Sequence, residues 1–521
     1  MAITINKLKK SEILWAMHHI KREGDTDLLG TPFEHTILWH NKDLVSKDLS
    51  DIDVSSYVWH DSRRFMAQKD ATSFRSACQL DPIDAIFFSA LIYSNRKKFI
   101  KYTNPYRNYV FSHQLKCEPD GLMYNSNTGW EQFWRNSIQI ASNNTCQFVV
   151  VTDIVDFYNQ IYHHTLENQL KEARLSTAHI TSIKNLLQYE TDKVSRGIPV
   201  GPHSSHILAE LSMVPIDGFL IDSGISYCRY VDDIHIFVES RAKATIMLGK
   251  LAYLLDLHKL CMNKSKTKIL TKSQFIDLCQ RKISNDPIND IEEKFLDIVK
   301  ENSNDPYDDI DLDILESEKK QELYSLAMDE VLQKYLKSDN VDYPRIGWLL
   351  RRLSQVGIPG AAEFVVNNLD GLLPVISGAI RYISNIDSNE IDSLKLGELL
   401  CNSLKNEVVL ESDYLMSCII GSYANCPKLN HFSTLQELSG KFPMVTRKIV
   451  LAARAHGRID WIRGLKRQIG SADPWLKRAI FYSYSILPAD EAKTWLKHIS
   501  KSNCSDLMLK YTINYAIKLI K

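Results

Sequence analysis

The residues best suited to chemistry in this chain are acidic ones that stand beside apolar, β-branched runs. Asp153 closes the run VVVTD at the end of a predicted strand. Asp232 and Asp233 separate two alternating apolar runs in CRYVDDIHIF, which predicts a tight hairpin with both carboxylates at its tip. Each acid taken alone is more typical of a turn or a helix cap than of a metal site. Together, the three rigidly held carboxylates predict a site for divalent metal ions.

A glycine-containing loop and a lysine accompany these acids along the chain. Gly197, Pro199, Val200 and Gly201 form an irregular loop in RGIPVGPHSSHIL that leads into a predicted helix. Glycine allows the backbone to approach a ligand closely, although a plain loop-to-helix junction is the alternative. Lys266 follows in KLCMNKSKTKIL, in a predicted turn between a helix and a strand. A single lysine in such a turn is ordinarily solvated, so its meaning depends on the other residues.

Nucleotidyl transfer is the chemistry that fits the whole set. It depends on positioning and charge neutralisation more than on covalent help from the protein. Two divalent ions about 3.5–4 Å apart can activate the attacking oxygen and stabilise the leaving one. Mg²⁺ prefers carboxylate and phosphate oxygens, and a glycine loop and a lysine would flank an incoming triphosphate. The order of these segments supports this interpretation better than any one of them does.

Strands and helices alternate around these residues, as in an α/β or α+β domain covering about residues 85–275. Residues 1–84 are predicted to be mainly helical. The predicted strands nearest the acids are Cys146–Ile154, Ser226–Val231 and Ile234–Ser240, and the predicted helix that follows them is Ala242–Leu260.

The composition changes after the α+β region. Residues 285–318 are strongly acidic and contain two Asp-Pro steps, which predicts a linker with a short helix or an acidic surface insertion. Amphipathic helical segments then recur about every 30 to 40 residues, which predicts stacked helix pairs of HEAT-like type, with a non-repetitive bundle as the alternative. They begin at Tyr343, Leu373, Ser412, Phe442 and Asp473. The predicted domains are therefore 1–284, the linker 285–318, and the helical domain 319–521.

Bulk properties narrow the class of protein. The chain has 521 residues, 44% hydrophobic and 24% charged, with a formal net charge of zero, so any basic surface for nucleic acid must be local. No apolar run has the roughly 20 residues that a membrane span needs. The amino terminus lacks a secretory-signal pattern. The ten cysteines show no metal-binding or disulfide spacing. These features predict a cytoplasmic protein of two or more domains without a membrane partner.

Four of these segments, taken in order, resemble motifs A, B, C and D of reverse transcriptases. The resemblance covers roughly residues 90–275. It implies that Asp153 in motif A and the pair Asp232 and Asp233 in motif C are catalytic metal ligands, and that the carbonyl of Ile154 is a further ligand. The implied cofactor is Mg²⁺, with Mn²⁺ as the substitute.

The same resemblance implies residues that bind the substrate. Tyr158 falls at the steric-gate position, which implies a preference for deoxynucleotides, and Lys266 at the motif D lysine that can protonate pyrophosphate. The loop Gly197–Gly201 matches motif B, except that Val200 replaces the usual Gln beside the nucleotide and template. Arg107 begins RNYVFSHQL, which resembles a fingers motif and adds a fourth substrate-binding element.

A palm and fingers joined to a HEAT-like helical domain, without an ordinary thumb, are similar to the abortive-infection (Abi) polymerases of bacterial phage defence, the group that includes AbiK. In its fingers motif, His113-Gln114 stands where Tyr-Arg is usual. This resemblance implies untemplated DNA synthesis from dNTPs, primed by a protein side chain. It also implies a single-stranded DNA product covalently attached to the protein, and a homo-oligomer, either a trimer or a hexamer.

The sequence thus predicts an α+β reverse-transcriptase-like DNA nucleotidyltransferase with an all-α second half, acting in antiviral defence. Two alternatives stay open. One is a templated RNA-directed DNA polymerase of a retroelement or retron-like system. The other is an inactive, polymerase-derived binding scaffold. The intact acids speak against the scaffold, and the neutral charge and missing thumb speak against templated copying.

Overall fold

The computed structural model describes residues 6–26, 28–283, 287–301, 317–386, 391–502 and 506–520. They divide into two compact units. The first comprises the described residues of Met1–Arg63 and Cys78–Asn285, and the second those of Arg64–Ala77 and Asp286–Lys521. Residues 302–316 of the predicted acidic linker lie outside the described residues. Among the helices that are described, none is long and apolar enough to cross a membrane.

The strands are β1 (Arg63–Gln68), β2 (Phe74–Gln79), β3 (Phe148–Thr152), β4 (Ser226–Tyr230), β5 (Asp233–Val238) and β6 (Lys268–Thr271). The helices up to the end of the first unit are α1 (Lys10–Glu23), α2 (Phe33–His40), α3 (Lys42–Ser50), α4 (Pro82–Ser94), α5 (Arg96–Thr103), α6 (Trp130–Ala141), α7 (Phe157–Gln160), α8 (His163–Glu172), α9 (Thr177–Glu190), α10 (His203–Asp222), α11 (Arg241–Leu257) and α12 (Lys272–Ile283).

The helices of the second unit are α13 (Asp290–Glu301), α14 (Ser317–Ser325), α15 (Met328–Leu336), α16 (Tyr343–Val356), α17 (Ala362–Asn367), α18 (Ile376–Asn385), α19 (Ser393–Ser403), α20 (Glu407–Leu410), α21 (Asp413–Asn425), α22 (Phe432–Gln436), α23 (Pro443–Ala455), α24 (Ile459–Gly464), α25 (Pro474–Ser483), α26 (Ala489–Ser502) and α27 (Leu507–Leu519).

An antiparallel sheet in the order β4-β5-β3-β6 forms the centre of the first unit. Its central strand β3 has the apolar, β-branched sequence FVVVT, and both Val149 and Val150 are fully buried because helices cover the sheet. Helix α11 packs against β3 and β5, and helix α6 against β4 and β5. An apolar cluster on this sheet includes Phe133, Trp134 and Phe275, which join α6 and α12 to the sheet.

A hairpin of β1 and β2 was not part of the helical prediction for residues 1–84. Most of it, Arg64–Ala77, belongs to the second unit, where Phe65 stacks on Tyr414 with ring centroids 4.9 Å apart. In β1, Phe65 and Ala67 are buried and Met66 between them is more than half exposed, whereas β2 is exposed over its first three residues and buried over its last three. In the sequence Phe65, Met66 and Ala67 form one short apolar run, so the alternation of β1 is not visible as a pattern of apolar and polar residues.

Long helices of the second unit pack in succession: α16 on α18, α18 on α21, α21 on α23, α23 on α25 and α25 on α27. Several begin at a side-chain cap. Asp342, Ser412 and Asp473 accept hydrogen bonds from backbone N–H groups three residues later, at 3.0, 3.2 and 2.9 Å. The sequence prediction of a mixed α+β fold followed by a helical C-terminal region is confirmed.

Candidate active site

Strand pairing brings the three predicted acids together. Asp153 directly follows β3, and Thr152 pairs with Ile234 at the start of β5. Tyr230 pairs with Asp233, which leaves Val231 and Asp232 as the hairpin loop. One carboxylate oxygen from each of Asp153, Asp232 and Asp233 lies within 4.8 Å of the others. This spacing lets all three acids contact the same small cation.

The three acids repel one another electrostatically. Asp153 is buried, whereas Asp232 and Asp233 are partly exposed. Burial, followed by the charges of Asp153 and Asp233, raises the pKa of Asp232 to about 7. A divalent cation would relieve this repulsion, and a hard all-oxygen donor set suits such an ion. The residues present therefore fit a divalent metal.

The hairpin loop holds a strained residue. Val231 has a φ of +56°, a left-handed conformation that β-branched residues rarely adopt. Its N–H donates to Ser112 Oγ at 2.8 Å, and its carbonyl accepts from Arg229 Nη1 at 2.8 Å. Two side chains thus determine the backbone at the residue before the acids, as a strained functional turn requires.

Arg229 is itself held by a fully buried ionic network. It pairs with Asp217 at 2.6 Å and with Glu210 at 2.9 Å, both on α10. Burial opposes its charge, but the carboxylates of Asp217 and Glu210 keep the pKa of Arg229 above its ordinary value. Glu210 also accepts a hydrogen bond from Ser112. Ser112 and Arg229, whose side chains hydrogen-bond to the backbone of Val231, therefore both contact Glu210.

Residues of the predicted motif D contact Asp153 directly. Lys266 Nζ lies 3.0 Å from Asp153 Oδ2. Although partial burial opposes it, the hydrogen bond to Asp153 and the charges of all three acids raise the pKa of Lys266. Asn263, absent from the sequence prediction, donates from Nδ2 to Asp153 Oδ2 at 3.1 Å and from its backbone to the Asp153 carbonyl at 2.7 Å. Asn263 thus holds both the carboxylate and the backbone carbonyl of Asp153.

Ile154, the predicted carbonyl ligand, is buried immediately after Asp153 and forms an isolated β-bridge with Met262. This bridge and the Asn263 contacts fasten the segment after β3 to the loop between α11 and β6. The role of the Ile154 carbonyl as a metal ligand stays a prediction.

The predicted motif B loop is hydrogen-bonded to the motif A segment. Gly197 N donates to Ile161 O at 2.8 Å, and Ile198 N donates to Tyr158 O at 3.0 Å. Gly197 has a φ of +94°, which a side chain would disfavour. The backbones of the two segments are therefore joined by hydrogen bonds at two places.

The other end of the loop is anchored to Cys78, near the end of β2. Val200 O accepts from Cys78 N at 2.9 Å. Gly201 has a φ of +124°, and a Cβ there would come within 2.6 Å of the Cys78 carbonyl and 2.7 Å of Thr26 Oγ1. Gly201 is thus required by close packing, and Pro199 is buried beside it.

Two further predicted substrate residues lie in different surroundings. Tyr158 is partly buried and its hydroxyl is 2.6 Å from His206 Nδ1. Arg107 is exposed, donates to Gln114 at 3.3 Å, and lines a small cavity with Glu210. The structure thus places Arg107 beside the network beneath the hairpin loop.

A second cluster of possible ligands occurs in the same unit. His60, Asp81 and Asp84 each offer a ligand atom within 4.8 Å of the others. Asp84 accepts from Tyr57 Oη at 2.6 Å and from His60 N at 2.6 Å, and lies 2.7 Å from His60 Nδ1. Asp81 caps α4 by accepting from Ile83 N at 3.0 Å. These contacts are those of a structural core.

Comparison with known proteins agrees with the site. Residues 103–298 match the family model described as reverse transcriptase (RNA-dependent DNA polymerase). No curated protein sequence matches the chain. This region is therefore a reverse-transcriptase-like nucleotidyltransferase domain, in which the three acids lie together.

Solved structures that align with the chain include two telomerases. Telomerase from Candida albicans in complex with a TWJ fragment of telomeric RNA aligns at 13% identity and a TM-score of 0.30, over 77% of this chain and 70% of that chain. Apo telomerase from Candida tropicalis aligns at 9% identity and a TM-score of 0.28, over 81% of this chain and 71% of that chain. The family model, and not these alignments, defines the domain.

Proposed function

We propose that this chain is a DNA nucleotidyltransferase that uses dNTPs and Mg²⁺, or Mn²⁺ in its place. The observation that carries this proposal is the convergence of Asp153, Asp232 and Asp233 within one reverse-transcriptase-like domain. These carboxylates, with the carbonyl of Ile154, would hold the metal. Divalent ions bound there would activate the attacking hydroxyl and stabilise charge on the leaving pyrophosphate.

Other residues of the chain would donate a proton, select the sugar and bind the nucleotide. Lys266 carries a proton at Nζ beside Asp153 and can supply it to the pyrophosphate. Tyr158 would exclude a 2′-hydroxyl by its bulk. The loop from Gly197 to Gly201 would bind the nucleotide through backbone groups, since its glycines leave room for close approach.

We further propose that synthesis is untemplated and primed by a side chain of the protein, as in the Abi polymerases. Val200 supports this, because an aliphatic side chain offers no amide to the nucleotide or template where the usual residue is Gln. The successive packing of α16, α18, α21, α23, α25 and α27 supports a HEAT-like second domain of the kind found in that group. The proposed setting is cytoplasmic phage defence by a homo-oligomer.

The test is incubation of the purified protein with labelled dNTPs and Mg²⁺, without template or primer. DNA label should stay on the protein in a denaturing gel and disappear on nuclease treatment. Asp232→Ala should abolish it, whereas the surface control Asp256→Ala on α11 should not. Label that survives Asp232→Ala, or none in the unchanged protein, contradicts the proposal.

Template dependence separates the proposed activity from its alternative. Synthesis that requires added RNA and leaves the protein unlabelled would identify a templated polymerase instead. Mass spectrometry of the labelled protein would identify the priming side chain. Tyr57 is a poor candidate, because it is buried, stacked on Phe87 at 3.7 Å and bonded to Asp84.

A further inference from the structure

The proposed sugar gate has a polar partner that the reverse-transcriptase resemblance does not supply. The hydroxyl of Tyr158 and Nδ1 of His206 are 2.6 Å apart, and the two rings are nearly perpendicular at 86°. His206 lies in the first turn of α10, directly after the motif B loop. Ile198 N, in the predicted motif B loop, also donates to Tyr158 O at 3.0 Å. Tyr158 is therefore held through its backbone by this loop and through its side chain by the helix that follows the loop.

His206 is itself immobilised. Its ring stacks face to face on His113, with centroids 3.9 Å apart and planes at 5°. His113 Nδ1 lies 3.7 Å from Glu210, and its ring also meets the edge of Tyr124 at 5.1 Å. His113 has a φ of +42° and directly follows Ser112, the residue that holds Val231. The imidazole that meets Tyr158 is therefore fixed to the same assembly as the catalytic hairpin.

We propose that His206 is a positioning residue that holds the Tyr158 hydroxyl, so that discrimination between deoxyribonucleotides and ribonucleotides depends on this hydrogen bond. The inference rests on the proposed function, because it assumes a nucleotide beside Tyr158. A steric gate works only while its ring stays in place, and displacements near 1 Å are enough to weaken a site of this kind. A ring anchored only by its backbone could rotate away from a 2′-hydroxyl.

The hydrogen bond predicts an effect that bulk alone does not. Tyr158→Phe keeps the ring and removes only the hydroxyl, so a gate that works by bulk should be unaffected. An anchored gate should lose about three- to tenfold of its preference for dATP over ATP, the range expected for one hydrogen bond. His206→Leu should give the same loss.

Two amide substitutions test which ring nitrogen matters. In His206→Asn the amide occupies the position of Nδ1, whereas in His206→Gln it reaches that of Nε2. The Asn variant should keep most of the preference and the Gln variant should lose it. His164→Leu is the control, because it removes an exposed imidazole from α8.

The measurement is calorimetric binding of dATP and of ATP to the full chain in Ca²⁺, with the melting temperature checked for each variant. The ratio of the two Kd values should fall in Tyr158→Phe and His206→Leu. In the double variant it should fall no further, because both changes remove one interaction. His206→Asn and His206→Gln keep the test valid if His206→Leu does not fold.

Several outcomes would overturn the inference. These are equal binding of dATP and ATP by the unchanged protein, an unchanged ratio in Tyr158→Phe, and additive losses in the double variant. Binding selectivity is measured without synthesis. Absence of protein-linked DNA would therefore contradict the proposed function while leaving this result readable.

Discussion

Two clusters in the first unit each gather three possible metal ligands within 4.8 Å, yet they differ in how the protein treats their charge. At the first, Asp153, Asp232 and Asp233 crowd like charges, and the pKa of Asp232 rises to about 7 through burial and its acidic neighbours. At the second, Asp84 accepts hydrogen bonds from a tyrosine and from the backbone and side chain of His60.

The difference shows that proximity of ligand atoms does not by itself define a metal site. Burial, with the charge of Asp81 adding to it, raises the pKa of Asp84 to about 6, but His60 and the hydrogen bond from Tyr57 oppose that rise. Around Asp232, the carboxylates Asp153 and Asp233 add to the rise. A cluster in which three carboxylates face a single lysine is suited to a further cation, whereas a cluster whose central carboxylate has several internal hydrogen-bond partners stabilises the fold.

Removing an acid from the first cluster should have the largest effect. Asp232→Ala is expected to reduce protein-linked DNA synthesis about 1,000-fold or more, because loss of metal-held charge stabilisation costs several kcal/mol of the barrier. The folded state should survive, since a repulsive charge is removed. Radiolabel incorporation and a thermal melt measure the two effects. A variant that unfolds would show that Asp232 is structural, which would erase the contrast with Asp84.

Removing an acid from the second cluster should do the reverse. Asp84→Ala is expected to lower the free energy of unfolding by about 2–4 kcal/mol, because the buried hydroxyl of Tyr57 and the partly buried donors of His60 lose their acceptor. The protein that stays folded should synthesise DNA at an ordinary rate. Denaturant unfolding and activity per folded molecule measure this. A rate that collapses while the unfolding free energy is unchanged would make this cluster a functional site after all.

The sequence predicted the parts of the site that depend on local signals. The β-branched run before Asp153 and the alternating runs around Asp232 correspond to β3, β4 and β5, because strand periodicity is visible along the chain. It could not predict Asn263 as the partner of Asp153, or Ser112 as the partner of Val231, because those contacts join residues 110 and 119 positions apart.

The fold shows the same division. Caps such as Asp473 and the amphipathic pattern after it predicted α25. The hairpin of β1 and β2 could not be predicted, because its buried contact, Phe65 on Tyr414, is made with a residue far along the chain. The pairing of Arg229 with Asp217 had one visible signal, an arginine inside an otherwise apolar strand, since a buried charge needs a partner.

Mg²⁺ binding should stabilise the protein through the first cluster and not through the second, and this effect should be smaller than those of the two alanine substitutions. At a Mg²⁺ concentration about 30 times its Kd, the native state should gain about 2 kcal/mol of stability. The melting temperature should rise on addition of Mg²⁺ and return after EDTA. This rise should vanish in Asp153→Asn and persist in Asp84→Asn. If the rise in melting temperature is lost in Asp84→Asn instead, Mg²⁺ binds at the second cluster and the proposed metal site is wrong.

Removing the Lys266 ammonium should have the smallest effect, and it should change Mg²⁺ affinity and the rate of synthesis in opposite directions. Lys266 Nζ lies 3.0 Å from Asp153 Oδ2, so the ammonium competes with a metal ion for that carboxylate. Lys266→Met should therefore tighten Mg²⁺ binding about two- to fivefold, the range for a half-exposed ion pair. Synthesis should nevertheless slow, because the pyrophosphate loses its proton donor. Calorimetry with Mg²⁺ and single-turnover incorporation measure the two, with exposed Lys264→Met as control. If binding and synthesis both weaken, Lys266 acts by holding Asp153 in place, and the first cluster depends on internal countercharge as the second one does.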